Sequence, residues 1–486
     1  MSATRTSLLI SFAEKYTLMV IGMGTSMAIA RLLTPAQIGI FSIGAVVVGI
    51  TQLVRDFGVG QYLIQERELT SAKVRAAFTL TLLIAWVMAA LLVAASGAIG
   101  RFYDEPDVGS VLRVLAISCL LIPFGSVTLP LLRRELKFGA LYCINVASGV
   151  ASLVVSVGLA LAGYGFLSLA WGAVASTAAS VLASLCFRPR GMPWRPGWRG
   201  MRQLLSFGAY ANSSNVLDEV GVAAPDLVIG KVLGAEAVGL FSKALGVLGI
   251  FNVLITKAVM PVVLPLFSAQ ARDGHDMKEP YLRTIRFMVA LSWPFFGVLC
   301  VLALPLVRLL YGPQWDASVP LVRIMCLSWA VFSLFALARD LFVAMGHVKK
   351  RAQLEMVAVP VRIAGLLVAA PFGLEAVAWS IVLTQLFKAW LIYRGLAALT
   401  GMRVAELLSA VSKGTVLTLL SIAAPLLVMA TMDLRGLALA PLALAASGAA
   451  AAWLAGVFLI NHEIAHEISA VARQLSQQWR GRAVPR

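Results

Sequence analysis

The sequence predicts an all-α polytopic membrane protein of about fourteen transmembrane helices: two parallel-repeat six-helix lobes followed by two further helices. Three observations carry this reading. Of the 486 residues, 60% are hydrophobic and 13% are charged. An average soluble domain has about 45–50% and about 25%, so this chain lacks the polar surface to coat soluble domains, and the same balance excludes a disordered chain. Apolar runs near the ~20 residues that cross a bilayer recur throughout. Finally, the first part of the chain is echoed about 200 residues later.

The first apolar run begins near Leu8 and carries Glu14 and Lys15. No small-residue cleavage site follows it, so it reads as a retained helix over 8–30, not a signal peptide. Further spans read at 37–57, 76–98, 108–128, 141–161, 166–187, 204–229, 238–266, 285–310, 320–343, 354–371, 375–396, 414–432 and 437–460. The segment RPRGMPWRPGWRGMR at 188–202, rich in Pro, Gly and Arg, reads as a linker between halves. The tail after Ile460 is polar and helical at first.

Charge placement sets the topology. With the N-terminus in the cytoplasm, loops on that side hold 25 Lys and Arg, whereas the opposite loops hold four: Arg31, Arg101, Lys231 and Arg435. This asymmetry predicts an even number of spans with both termini cytoplasmic. The net charge of +17 is then topology and attraction to anionic lipid, not a nucleic-acid footprint. Five cysteines fall in apolar runs with no Cys-x-x-Cys spacing, which predicts buried, inert thiols.

The duplication is explicit. RLLTPAQIGIFS (31–42) matches KVLGAEAVGLFS (231–242), with Leu33, Gly39, Phe41 and Ser42 repeated as Leu233, Gly239, Phe241 and Ser242. Arg134-Glu135-Leu136 matches Arg339-Asp340-Leu341, and Gly165 with Ala170-Trp171 matches Gly373 with Ala378-Trp379. Six helices per half make the repeats parallel. The domains read as 1–200 (first lobe and linker), 201–396 (second lobe) and 397–486 (two helices and tail).

Charges inside the spans are the candidates for chemistry. Lys15, Lys257, Arg362 and Lys388 sit deep, where a basic residue facing lipid costs roughly 2.5–3.5 kcal/mol, so a hydrated cavity or a carboxylate partner is expected for them. Arg55, Arg286, Arg308, Arg323 and Arg339 lie near span ends and can snorkel; Lys243 and Arg113 complete the set. The acidic side chains are Glu14, Asp56, Asp218, Glu219, Asp226, Asp340 and Glu375. Asp218-Glu219 stands in a span without a basic residue, so the pair must find another helix, take up protons or bind a cation. His462-Glu463-Ile464-Ala465-His466 fits H-E-x-x-H, but a third ligand is lacking, since the other histidines are His275 and His347 in other loops. No metal or cofactor is expected. No phosphate-binding Gly-rich loop is present, so an ATP-driven pump is not indicated.

ARLLTPAQIGIFSIGAVVVGITQLVRDFGVGQYLIQ (30–65) resembles the opening signature of Wzx-type polysaccharide flippases, in the multidrug/oligosaccharidyl-lipid/polysaccharide exporter superfamily. DLVIGKVLGAEAVGLFSKA (226–244) resembles the second-half signature, with Asp226 where that signature has an aspartate. The resemblance implies a V-shaped pair of lobes around a cavity in a bacterial inner membrane. It also implies ion-coupled alternating access that flips undecaprenyl-diphosphate-linked oligosaccharide, and not an enzyme. Lys15, Arg55 and Lys257 would then form a cationic cavity, with Arg362 and Lys388 in reserve. Asp218, Glu219, Asp226, Asp56 and Glu14 are the candidates for ion coupling. A polymerase and co-polymerase of the same pathway are the expected protein partners. The alternatives are a cation-coupled multidrug exporter, a lipid II flippase, or, in a different class, an integral-membrane glycan polymerase or ligase. The last needs a larger external loop than the ten or so residues around Gly100–Val108.

The topology is directly testable. A cysteine placed at Gly191 or at the C-terminus should react with a membrane-impermeant thiol reagent only from the cytoplasmic side; reactivity only from the periplasm overturns the orientation.

Overall fold

The computed structural model describes residues 2–56, 58–188, 196–252, 267–272, 276–431 and 439–470, and every regular element among them is helical. α1 (Ser2–Leu32) turns into α2 (Pro35–Asp56) through a reciprocal cap. The Thr34 amide donates to Gln37 Oε1 at 3.1 Å and the Gln37 amide to Thr34 Oγ1 at 3.3 Å. This satisfies two donors that a helix start leaves open. α3 (Val59–Gln65) is short and amphipathic, and Arg134 collects its terminal carbonyls, with Nη1 donating to Leu63 O at 2.9 Å and to Glu66 O. Its buried Val59, Tyr62 and Leu63 pack with Val74, Phe78, Leu131 and Leu204.

α4 (Ser71–Phe102) has 32 residues. At 1.5 Å per residue it is ~48 Å long, well beyond the ~30 Å hydrocarbon core, and it overruns the expected 76–98 at both ends. α5 (Pro106–Leu121) is continued at a 40° bend by α6 (Pro123–Ser126) and α7 (Thr128–Arg134). Pro123 offers no amide to the preceding turn and its ring crowds that turn, which is the cause of the bend. α8 (Phe138–Leu161) and α9 (Leu167–Cys186) form a close hairpin. A Cβ on Gly172 would lie 1.8 Å from Ser156 Oγ, and the Ser148 and Ser176 hydroxyls bond at 2.7 Å. Small residues and paired hydroxyls are how helices approach where apolar packing alone gives no preference over lipid. α10 (Met201–Val232) and α11 (Ala235–Phe251) meet at Gly234, whose φ is +84°.

The later helices are α12 (Lys278–Val301), α13 (Ala303–Leu310), a 3₁₀ turn Pro313–Ser318, α14 (Val319–Leu334), α15 (Ala338–Ala344), α16 (Val348–Ala369), α17 (Leu374–Thr400), α18 (Val404–Thr431) and α19 (Leu439–Leu459). The fold divides into two compact units: residues up to Lys243 with Leu366–Leu374, and Ala244–Gly365 with Glu375 onward. The first unit thus takes α10 and the start of α11 along with the first-half helices.

Ten helices among the described residues are long and apolar enough to cross a membrane, or eleven with the bent α5–α7 as one span. These answer eleven of the fourteen expected spans. The other three fall on α1, α10 and α11. α1 carries Glu14 and Lys15, and α10 carries Asn212, Asn215, Asp218, Glu219 and Asp226. α11 is described for 17 residues, and the expected remainder at 253–266 lies outside the described residues. The polar helices are therefore the first helix of each repeat.

In the second unit α18 and α19 dock on α12. Ala290, Leu417, Val457, Ile464 and Ala465 form a shared buried core, and Trp453 Nε1 donates to Ala290 O at 2.8 Å. Charge closes the same end: Arg286 pairs with Glu279 and, at 2.7 Å, with Glu463, while Arg283 reaches Glu467 at 3.1 Å. The H-E-x-x-H residues are thus given structural work. Glu463 is held by the two arginines, and buried His462 accepts from the Ile464 amide at 3.2 Å and stands edge-on to Phe287.

Two expectations are corrected. Arg308 has a partner that was not foreseen: its guanidinium makes a fork with Asp316, at 2.9 and 2.6 Å, that closes the turn around fully buried Trp315. Cys143 and Cys186 are exposed, unlike Cys119 and Cys326. They stand on outer faces of α8 and α9, where an apolar thiol suits lipid as well as a core.

Burial holds the His462 pKa below its usual value, against the opposing pull of Glu463. A histidine kept neutral in the fold leaves stability unchanged above the unfolded value near 6.5. Stability then falls as pH drops from there through the lower folded value, because the unfolded chain takes the proton first. Melting of the detergent-solubilised protein should therefore decline below pH ~6.5, and His462→Gln should reduce that decline.

Candidate functional site

The first unit gathers most of the candidate charges. On α1, neighbouring Glu14 and Lys15 separate: Glu14 Oε1 accepts from Asn145 Nδ2 of α8 at 2.6 Å, while Lys15 is exposed. Arg55, at the end of α2, is 7% exposed. On α10, Glu219 and Asp226 are half-buried; the side chains of Asp56 and Asp218 lie outside the described residues, as does Lys257. In the second unit Arg362 is half-buried on α16.

Lys388 of α17 has a partner that sequence reasoning missed. Its ammonium lies 2.7 Å from Glu355 Oε1 of α16, and the carboxylate side chain is 17% exposed. The pair was legible by counting. α16 and α17 form an antiparallel hairpin about Gly373, and Glu355 precedes that turn by nearly as many residues as Lys388 follows it. Both charges therefore sit at one depth, and the pair removes most of the cost of either charge alone.

Lys243 is the second missed residue. Among the described residues, Arg55 and Lys243 are the buried arginine and lysine, 7% and 8% exposed. Lys243 Nζ donates to Ser26 Oγ of α1 at 3.0 Å. The available signal was that Lys243 is the one basic residue of α11, at a position where the first repeat has Ile43.

The repeat signatures themselves meet. A Cβ on Gly39 would fall 1.6 Å from Ala235 O, and a Cβ on Gly239 would fall 2.0 Å from Pro35 O. Residues 35 and 235, like 39 and 239, are equivalent in the duplication, so each repeat makes toward the other the contact it receives, as in a two-fold interface. The first turns of α2 and α11 cross backbone on backbone. Beside the crossing, Lys231 bonds Asp104 Oδ2 at 2.7 Å and lies over the Phe102 ring, with both partners exposed. Below it the symmetry is broken chemically: one side has Lys243 on Ser26, and the other packs Ile43 against Gly230, a turn from Asp226.

A double-mutant cycle tests the second-unit pair. Lys388→Gln or Glu355→Gln alone should each lower the melting temperature, by about 1–3 kcal/mol of stability. The double variant should recover most of the loss. Additive losses would mean that the two charges are not coupled.

Comparison with known proteins places this architecture. Among solved structures, the lipid II flippase MurJ in an inward closed conformation aligns with TM-score 0.76 and 11% identity, covering 94% of this chain and 99% of that one. An inward-facing multidrug resistance MATE family transporter of the MOP superfamily aligns with TM-score 0.64 and 14% identity, covering 80% and 96%. These likenesses show the fold. Among curated proteins, the teichuronic acid biosynthesis protein TuaB of Bacillus subtilis is 25% identical over 289 residues, 57% of this chain and 58% of that protein. The lipopolysaccharide biosynthesis protein WzxC of Escherichia coli is 22% identical over 318 residues, 64% of each. The succinoglycan biosynthesis transport protein ExoT of Rhizobium meliloti is 24% identical over 312 residues, 63% and 62%. The chain thus spans about three-fifths of the length of these relatives. A family described as polysaccharide biosynthesis protein matches residues 28–320. With its helices, its duplication and well over half its length accounted for, this multi-pass membrane protein belongs to the polysaccharide biosynthesis protein family.

Proposed function

We propose that this protein is a flippase that moves undecaprenyl-diphosphate-linked oligosaccharide units across the bacterial inner membrane for surface polysaccharide synthesis. It is a transporter and not an enzyme, and it works by ion-coupled alternating access. The observation that carries the reading is the distribution of polarity. α1 and α10, the first helices of the two repeats, carry Glu14 and Lys15 in one and Asp218, Glu219 and Asp226 in the other, and α11 buries a lysine against α1. Helices of that composition need water or a charged ligand beside them. The family, together with relatives named for teichuronic acid, lipopolysaccharide and succinoglycan biosynthesis, supports a glycan cargo.

A lipid diphosphate carries about two negative charges through a low-dielectric region where unpaired charge is expensive. Lys15, Arg55 and Lys257 offset that charge and leave the sugars in water. Arg362 is a reserve cation, and Lys388 shares its charge with Glu355. Asp218, Glu219, Asp226, Asp56 and Glu14 are the carboxylates on which an ion gradient can act. Both termini are cytoplasmic, which puts the α1–α2 and α10–α11 turns outward. A polymerase and co-polymerase receive the exported unit.

Gln substitutions at Lys15, Arg55 and Lys257, singly and combined, should reduce polysaccharide export without lowering the protein's membrane abundance. Arg323→Gln, at an exposed site on α14, should have little effect. Intact export in the triple variant removes the cationic-path mechanism.

A further inference from the structure

We propose that the junction of the inter-repeat linker with α4 binds the headgroup of an anionic phospholipid. Trp198 lies at headgroup depth, and Arg75, Arg199 and Arg202 hold the phosphate. The leaflet is the cytoplasmic one that the charge asymmetry of the loops predicts, and nothing in the site depends on the cargo.

Depth is the first support. Arg75 is the last charge on α4 before the apolar run that begins at Ala76, so it marks the edge of the hydrocarbon. The linker lies against that edge. A Cβ on Gly197 would fall 2.8 Å from Arg75 Cβ, and the Gly197 amide donates to Thr79 Oγ1, a turn further in, at 2.8 Å. The second support is an aromatic ring held outward. Trp198 is 67% exposed, yet its backbone is pinned by the Gly197 bond before it and by the Met201 amide, which donates to the Trp198 carbonyl at 3.2 Å. Gly200, at φ +92°, then turns the chain into α10, whose Leu204 is buried with Val74 and Phe78. The junction is thus built into the lobe. An indole left open at this depth gains by lying among headgroups, which meet its apolar face and its N–H together.

Charge names the occupant. Arg75, Arg199 and Arg202 are all exposed. No Asp or Glu occurs at 69–103 or at 188–217, and Glu66 of the preceding turn is paired with Lys73 at 3.2 Å. Three like charges, one each from α4, the linker and α10, are drawn to one junction, and an external anion relieves their repulsion. Phosphate matches the guanidinium fork, and lipid is the source of phosphate at this depth.

The test uses the purified full chain in nanodiscs of phosphatidylcholine with a minor share of phosphatidylglycerol. Bromine on the upper acyl chain of one lipid or the other is the quencher. Trp198 emission is the difference between the parent and Trp198→Phe. Per mole of lipid, phosphatidylglycerol should quench it at least about fivefold better than phosphatidylcholine, the worth of one arginine at an anionic surface. Arg75→Gln, Arg199→Gln and Arg202→Gln together should abolish that preference. In the parent, ~1 M salt, which shortens the Debye length to about 3 Å, should weaken it. No quenching by either lipid puts Trp198 outside the bilayer and overturns the proposal, as does equal quenching by both. A preference that survives the triple substitution also overturns it; should that variant fail to fold, a preference indifferent to salt does so in the parent. Trace undecaprenyl diphosphate should leave the preference in place. Displacement of phosphatidylglycerol by it would assign the surface to cargo and overturn the phospholipid.

Discussion

Charge is expensive in hydrocarbon, and the rest of this architecture follows from where that expense is met. Ion pairs meet it locally, as Glu355 does for Lys388 between two helices and Asp316 for Arg308 at a 3₁₀ turn. The repeats' leading helices meet it differently. They keep charges that have no place against lipid, and Glu14 is met by Asn145 of a neighbouring helix.

Small residues set the second condition. Where helices meet in lipid, apolar area gives little preference for protein over solvent, so close approach has to be bought with glycine, serine and alanine. The α8–α9 hairpin uses this to stay shut. The α2–α11 crossing uses the same chemistry between repeats, with the Lys231–Asp104 and Lys243–Ser26 bonds beside it.

Much of this was legible in the sequence. Apolar run length located the spans, because each must satisfy its own backbone within the bilayer. The duplication was visible because Leu33, Gly39, Phe41 and Ser42 recur as Leu233, Gly239, Phe241 and Ser242, even though the turns before them differ, Thr34-Pro35 in one and Gly234-Ala235 in the other. Other features were hidden for physical reasons. Arg308 read as a snorkelling residue because its partner lies across a 3₁₀ turn that apolar periodicity does not register. Lys243 was passed over because its repeat equivalent is Ile43, and equivalence says nothing about burial. Gly39 and Gly239 were matched as counterparts, but a duplication reveals likeness, not contact. The length of α4 and its meeting with the linker, where the Gly197 amide donates to Thr79 Oγ1 at 2.8 Å, lie beyond any hydropathy window.

The docking of the 463–470 segment also sets an order of events during synthesis. Arg283 and Arg286 emerge from the ribosome some 180 residues before Glu463 and Glu467, their partners. At ~5–20 residues per second, that delay is roughly ten to forty seconds. For that interval Arg283 of α12 waits for Glu463 and Glu467, whereas Arg286 has Glu279 of its own helix and waits for Glu463. The charged end of α12 is therefore completed only once the segment that follows α19 has been made.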